Sequence, residues 1–175
     1  MHRSQGFTLI DATLGLVVLS LVLALAIPTV VRASARIRMG DVAASMTETF
    51  LTSTRLAVTT GSAMVICPVT ERGDCQEGTD WSRGWLVYAD IDGDRRHGGP
   101  DTVVHHASPP TGGLRLYSTQ GRDRLVFQTD GGNEGSNVSF TVCSPDIGEI
   151  GVLVLSNAGR FRFAEHDEPL GRPCP

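Results

Sequence analysis

A run of apolar residues near the start of the chain constrains its fold more than any other feature of the sequence. Residues 7–31 read FTLIDATLGLVVLSLVLALAIPTVV, and Asp11 is the only charged residue among them. At about 1.5 Å of rise per residue, a helix over residues 12–31 would be about 30 Å long, which is the thickness of a bilayer's hydrocarbon core. The run is therefore predicted to be a membrane-spanning helix.

The residues before the run, MHRSQG, do not make it an ordinary secretory signal. Such signals have an apolar region of roughly 7–15 residues that ends at small residues, where the peptide is cut. Here the apolar run is longer, and no small-residue cleavage site closes it. We therefore expect the run to be retained in the mature protein.

The arginines that flank the run leave its orientation open. Arg3 precedes the run, whereas Arg32, Arg36 and Arg38 follow it. Positive charge favours the cytoplasmic side of a membrane, so this rule alone would place the larger, C-terminal part in the cytoplasm. The cysteines indicate the opposite orientation.

The chain has an even set of cysteines: Cys67, Cys75, Cys143 and Cys174. Two of them frame a short loop and one lies almost at the C-terminus, as expected for disulfides formed in an oxidising compartment. Proximity favours Cys67 with Cys75, which leaves Cys143 to pair with Cys174; four buried thiols are the alternative. No CxxC or Cys/His pair has the spacing of zinc ligands, and we expect no metal and no cofactor.

Helical periodicity continues beyond the apolar run. Residues 32–61 are predicted to form an amphipathic helix that ends near Gly61 and has one apolar stripe: Met39, Val42, Met46, Phe50 and Ala57. Pro28 lies inside the preceding run, where it removes a backbone donor and clashes with the previous turn. A kink or a locally melted stretch is expected there.

After Gly61 the apolar period changes from helical to two. Short segments separated by turn residues are predicted to be strands: 63–67, 85–89, 102–106, 114–118, 124–128, 138–143, 152–156 and 160–164. The connecting segments are too short for crossover helices, which favours an antiparallel sheet or two packed sheets. The predicted fold is α+β, with a long N-terminal helix packed on a β-rich head of residues 62–175.

The start of the chain resembles a known class of signal. The sequence GFTLID, followed by about twenty apolar residues, is similar to the class III signal of type IV pilins and type II secretion pseudopilins. The resemblance implies a leader of residues 1–6, cleavage by a prepilin peptidase between Gly6 and Phe7, and methylation of the new N-terminal Phe7. It also implies that Asp11, where most members have glutamate, pairs with the terminal amine of a neighbouring subunit during filament assembly. An unpaired carboxylate in hydrocarbon is costly.

Sequence segments in the predicted head resemble one particular family of such proteins. The segments STRLAVTTGSAMVICP, WSRGWLVYAD, FTVC and SNAGRFRF together are similar to the GspH/FimT family of minor pilins and pseudopilins. In FimT-type members a glycine-arginine-any-arginine motif contributes to DNA binding, and Gly159, Arg160 and Arg162 match it. Alternate residues of a strand share a face, so these arginines would lie about 7 Å apart and could each meet a phosphate. Pairing with Glu165 or Asp167 is the alternative.

The segment DIDGDRRHGGPD, residues 90–101, partly matches an EF-hand loop. Asp90, Asp92, Asp94 and Asp101 fall at relative positions 1, 3, 5 and 12, where such a loop has oxygen ligands. Arg95 stands where glycine is required, and the flanks are predicted strands. A polar hairpin loop is therefore favoured over a calcium site.

Two functions agree with the sequence, and neither is enzymatic, since no catalytic arrangement is recognisable from spacing. The first is a filament subunit that works with other pilins or pseudopilins, a prepilin peptidase and the bacterial inner membrane, with its head in the periplasm. The second is a DNA-binding minor pilin for DNA uptake. The 15 basic residues, all arginine, against 19 acidic ones give a formal charge of -4, so DNA binding would need a local basic patch. A type IV pilus and a type II secretion pseudopilus both stay open.

Overall fold

The computed structural model describes residues 8–135, 137–156, 160–165 and 174. One helix, α1 (Leu9–Thr60), precedes the described strands. The strands are β1 (Ala63–Pro68), β2 (Trp85–Asp90), β3 (Thr102–Ala107), β4 (Arg115–Ser118), β5 (Leu125–Phe127), β6 (Val138–Ser144), β7 (Gly148–Leu155) and β8 (Phe161–Glu165). A short 3-10 turn, Thr111–Gly113, precedes β4. Each predicted strand segment overlaps one of these strands.

Helix α1 is continuous through Pro28. Directly after the proline, the hydroxyl of Thr29 donates to the carbonyl oxygen of Leu25 at 3.0 Å. Of the two outcomes expected at the proline, the locally melted stretch is therefore wrong. The helix ends where it was predicted to end: Gly61 has φ 70°, and its N–H donates to the carbonyl of Ala57 at 3.1 Å. Glycine adopts this left-handed conformation without steric cost, which closes the helix.

The chain divides into two compact units, Met1–Ser34 and Ala35–Pro175. In the first unit every large apolar side chain from Leu9 to Val30 is exposed. By length and composition α1 is able to cross a membrane, and it is the one such helix among the described residues. An exposed apolar surface of this extent marks a site that contacts lipid or other proteins.

The second unit contains two four-stranded sheets. The first sheet has the strand order β3-β2-β1-β5, and the second sheet has the order β4-β6-β7-β8. All neighbouring strands are antiparallel. The predicted antiparallel pairing is confirmed, and of its two forms the structure has two sheets rather than one.

One hydrophobic core joins α1 to both sheets. The predicted stripe of α1 is buried, together with Ala35 at its start. The ring centroid of Phe50 lies 5.9 Å from that of Phe127 in the first sheet and 6.1 Å from that of Phe140 in the second. The buried indole N–H of Trp85 donates to Oγ1 of Thr49 on α1 at 3.0 Å. The predicted α+β fold, with a long helix packed on antiparallel sheets, is confirmed.

Candidate functional site

The carboxylate of Asp11 lies in the first turn of α1, next to Thr8. Its Oδ2 accepts hydrogen bonds from the backbone N–H of Thr8 at 3.1 Å and from the Thr8 hydroxyl at 2.6 Å. In return the backbone N–H of Asp11 donates to Oγ1 of Thr8 at 3.3 Å. This reciprocal arrangement is a capping box, which satisfies backbone N–H groups that have no partner within the helix.

The capping box gives Asp11 a local role that reasoning from the sequence missed. The signal was present, because the threonine and aspartate of TLID stand at capping-box spacing directly before an apolar run. The box also holds the carboxylate at the helix start, where the helix dipole favours negative charge. Gly6 and Phe7, the predicted cleavage and methylation residues, lie outside the described residues.

Two disulfides join the cysteines, Cys67 to Cys75 and Cys143 to Cys174, in the pairs that sequence proximity favours. Cys67 belongs to a small apolar cluster on the first sheet, separate from the core that contains α1. The second bridge ties Cys174 to β6. Because β7 and β8 lie between Cys143 and Cys174 in the chain, this bridge closes a loop that contains the candidate DNA-binding residues.

The arginines of the predicted DNA-binding motif lie at β8, an edge strand of the second sheet. Arg162 pairs with Val154 of β7. Arg160 precedes β8, and its backbone N–H donates to the hydroxyl of Ser156 at 3.0 Å. Both arginines are exposed. Strand alternation directs the Arg162 side chain to the face opposite that of Phe163, whereas Arg160 lies just outside the strand pairing of β7 and β8.

Neither guanidinium makes an ion pair or a side-chain hydrogen bond in the described part of the chain. The alternative of pairing with Glu165 or Asp167 involves side chains outside that part, and Gly159 lies outside it as well. An exposed guanidinium without a carboxylate partner keeps its N–H donors available for a phosphate.

The aspartates of residues 90–101 hold the loop between β2 and β3. The carboxylate of Asp90 accepts from the N–H groups of Gly93 at 3.0 Å and Arg95 at 3.3 Å. That of Asp101 accepts from the N–H groups of Ile91 at 3.0 Å and Gly98 at 3.1 Å. The carboxylate oxygens of Asp90, Asp92, Asp94 and Asp101 lie within 4.8 Å of one another. The flanks are antiparallel strands and the carboxylates accept hydrogen bonds from the loop's own backbone, so the segment has the form of a polar hairpin loop.

These features define the class of protein: a long N-terminal helix, apolar in its first half, with antiparallel sheets packed on its second half. Crystal structures of the type IV minor pilin FimU of Pseudomonas aeruginosa are similar. One has a TM-score of 0.56 at 17% sequence identity, and the match covers 79% of this chain and 94% of the FimU chain. Another has a TM-score of 0.52 at 17% identity, covering 77% and 96%. The fold is therefore that of type IV pilin-like proteins.

A family model described as type II transport protein GspH matches residues 44–159, which is more than half of the chain. The chain belongs to the GspH family, in agreement with the sequence resemblance. The minor pseudopilin EpsH of the type 2 secretion system of Vibrio cholerae has a TM-score of 0.49 at 12% identity, covering 74% of this chain and 98% of that chain. No curated protein matches the chain in sequence.

Proposed function

We propose that this chain is a minor pilin or pseudopilin, a non-enzymatic assembly or tip subunit of a type IV pilus or a type II secretion pseudopilus. Its parts are a leader of residues 1–6, a membrane and filament helix of residues 7–31, an amphipathic helix of residues 32–61 and a head of residues 62–175. Before assembly the subunit crosses the bacterial inner membrane once. Its head lies in the periplasm, an oxidising compartment in which both disulfides form.

The observation that carries this proposal is the first half of α1, whose apolar side chains from Leu9 to Val30 are all exposed. In the membrane these side chains contact lipid, and in a filament they contact the same helix of neighbouring subunits. Asp11 is the one charge in this segment. Its cost in hydrocarbon falls when a cation pairs with it, and the terminal amine of a neighbouring subunit supplies that cation.

Processing by a prepilin peptidase is the direct test. Mass spectrometry of protein extracted from host membranes should find Phe7 as the first residue, with an N-methyl group, because cleavage after Gly6 creates the amine that a neighbour's Asp11 requires. The control is a host that lacks the peptidase, in which Met1 should remain the first residue. An intact Met1 terminus in a host with an active peptidase would contradict the proposal.

DNA binding is the second candidate function, and it is favoured by the guanidinium groups of Arg160 and Arg162, which are exposed and have no partner among the described residues. Two such groups about 7 Å apart on one face of a strand suit contacts with successive phosphates. Because phosphate contacts do not read bases, this binding would be independent of sequence. It would serve DNA uptake by a pilus.

Replacing both Arg160 and Arg162 with glutamine should weaken binding to duplexes of every sequence. The slope of log K against log salt concentration should fall by roughly 1.8, because each lost phosphate contact removes about 0.9 from it. The measurement is a titration of labelled duplex with the full chain in nonionic detergent at several salt concentrations. Arg55→Gln, an exposed arginine on α1, is the control and should leave binding unchanged. Absence of duplex binding by the unmodified chain, even at low salt, would end the DNA hypothesis.

A further inference from the structure

The second sheet turns one face to the core and the other away from it. Leu116, Phe140 and Leu153 are fully buried in the core, so strand alternation directs their neighbours to the opposite side. We call this opposite side the outer face of the second sheet. Its residues include Arg115 and Tyr117 of β4, Ser139, Thr141 and Cys143 of β6, Val154 of β7 and Arg162 of β8. Cys143 is buried and carries the disulfide to Cys174, which therefore lies on this face beside Arg115.

Strand pairing determines where these residues lie on the outer face. Tyr117 pairs with Thr141, whereas Arg162 pairs with Val154, which pairs in turn with Ser139. β4 and β8 are three strand spacings of about 4.8 Å apart, or about 14 Å. Arg115 and Arg162 are also displaced by four residues along the strands, about 13 Å, so their Cα atoms lie roughly 20 Å apart on a diagonal of the face.

Hydrogen-bonding side chains follow this diagonal. Arg115 and Arg162 are exposed at its two ends. Nη1 of Arg115 donates to the phenolic oxygen of Tyr117 at 3.4 Å, which leaves the phenolic proton available to donate. The side-chain hydroxyl groups of Ser139 and Thr141 donate to no acceptor in the described part of the chain. Arginine, tyrosine, serine and threonine are all side chains that contact phosphate oxygens in DNA complexes.

The charges around the diagonal favour a polyanion. Asp80 lies beside β4, opposite Tyr117, and its Oδ1 accepts from the N–H of Ser82 at 2.9 Å. Glu149 of β7 is only 9% exposed. Among the described residues of this face, the guanidinium groups of Arg115, Arg162 and the adjacent Arg160 are exposed, and Asp146 is exposed in the turn between β6 and β7. Exposed guanidinium groups therefore lie at both ends of the diagonal, where they attract phosphate.

We propose that the outer face of the second sheet is a docking surface for duplex DNA, on which Arg115 and Tyr117 extend the contact made by Arg160 and Arg162. This inference rests on the DNA-binding function proposed above. A span of roughly 20 Å corresponds to about six base pairs at about 3.4 Å each, so the two ends of the diagonal meet different phosphates. Contacts of this kind position the duplex and carry no sequence preference.

The test is a titration of labelled duplex with the full chain in nonionic detergent at several salt concentrations. Arg115→Gln should raise Kd roughly three- to tenfold at low salt and lower the slope of log K against log salt by about 0.9. Arg115→Lys keeps the charge and should keep the slope. Tyr117→Phe removes only the hydroxyl and should raise Kd roughly two- to fivefold.

Arg55→Gln removes the same charge from α1 and should leave both Kd and the slope unchanged. If the double change at Arg160 and Arg162 weakens binding while Arg115→Gln behaves like Arg55→Gln, the outer-face proposal is wrong and the DNA-binding function stands. If the unmodified chain binds no duplex, both are wrong. If single-stranded DNA of equal length binds more tightly than the duplex, the proposal that the outer face binds duplex DNA is wrong. Intact disulfides and unchanged tryptophan fluorescence in each variant exclude unfolding as the cause.

Discussion

Replacing Asp11 with alanine should lower incorporation of this subunit into filaments by roughly a hundredfold or more, because removing one partner of a buried ion pair costs about 3–5 kcal/mol. The variant leaves the terminal amine of the neighbouring subunit unpaired in hydrocarbon, where an isolated charge is costly. It also removes the carboxylate that accepts from Thr8 at the helix start. The measurement is the amount of this subunit cross-linked to other subunits in extracts of host membranes.

Two further changes at Asp11 separate charge pairing from helix capping. Asp11→Asn keeps an oxygen that accepts from the N–H of Thr8 but carries no charge, so it should fail to assemble as alanine does. Asp11→Glu keeps the charge on a side chain one methylene longer and should assemble. If the asparagine variant assembles like the unmodified subunit, capping is sufficient and the proposed ion pair is wrong.

Removing the Cys143–Cys174 disulfide should lower the free energy of unfolding of the head by roughly 3.5 kcal/mol, and removing Cys67–Cys75 by about 2.5 kcal/mol. The order follows from the sequence separations, 31 residues for the first bridge and 8 for the second, because a longer closed loop restricts the unfolded chain more. The measurement is chemical denaturation of residues 35–175, followed by tryptophan fluorescence, for the two paired cysteine-to-alanine variants.

The loss of the longer bridge should also impair DNA binding, since that bridge closes the loop of chain that contains β7 and β8. Loss of the shorter bridge, which lies in the first sheet, is the matched control and should leave DNA binding intact. A smaller stability loss for the Cys143–Cys174 pair than for the Cys67–Cys75 pair would contradict the loop-entropy explanation. Free thiols in the unmodified protein, found by non-reducing peptide mapping, would contradict both bridges.

The secondary structure of this protein was largely predictable because its signals are local. The stripe that includes Phe50 and Ala57 has the helical period and is buried in the core, and Gly61 follows the last residue of α1. The boundaries of β7 were less predictable. Residues 148–151 lack alternation, yet they join β7 because they pair with β6 across a bulge at Val142 and Cys143.

At the candidate assembly site, too, part of the arrangement was predictable from the sequence and part was recognised only in the structure. The sequence alone singled out Asp11, because it is the one charge in an apolar run. A carboxylate placed in hydrocarbon is costly, and this can be recognised from composition without a structure. The hydrogen bonds with Thr8 were encoded at capping-box spacing but were recognised only in the structure. They show that the carboxylate has a partner within its own helix before any neighbouring subunit supplies one.

What the sequence determined by itself, then, was the helix and the strand segments, because helical and strand periods are local. Only the tertiary structure decided that there are two sheets and which strands are neighbours. Arg115 and Tyr117 come to lie on the face of Arg162 because β6 and β7 pair between β4 and β8. Strand pairing depends on contacts between residues far apart in the chain, and a local period of two carries no information about them.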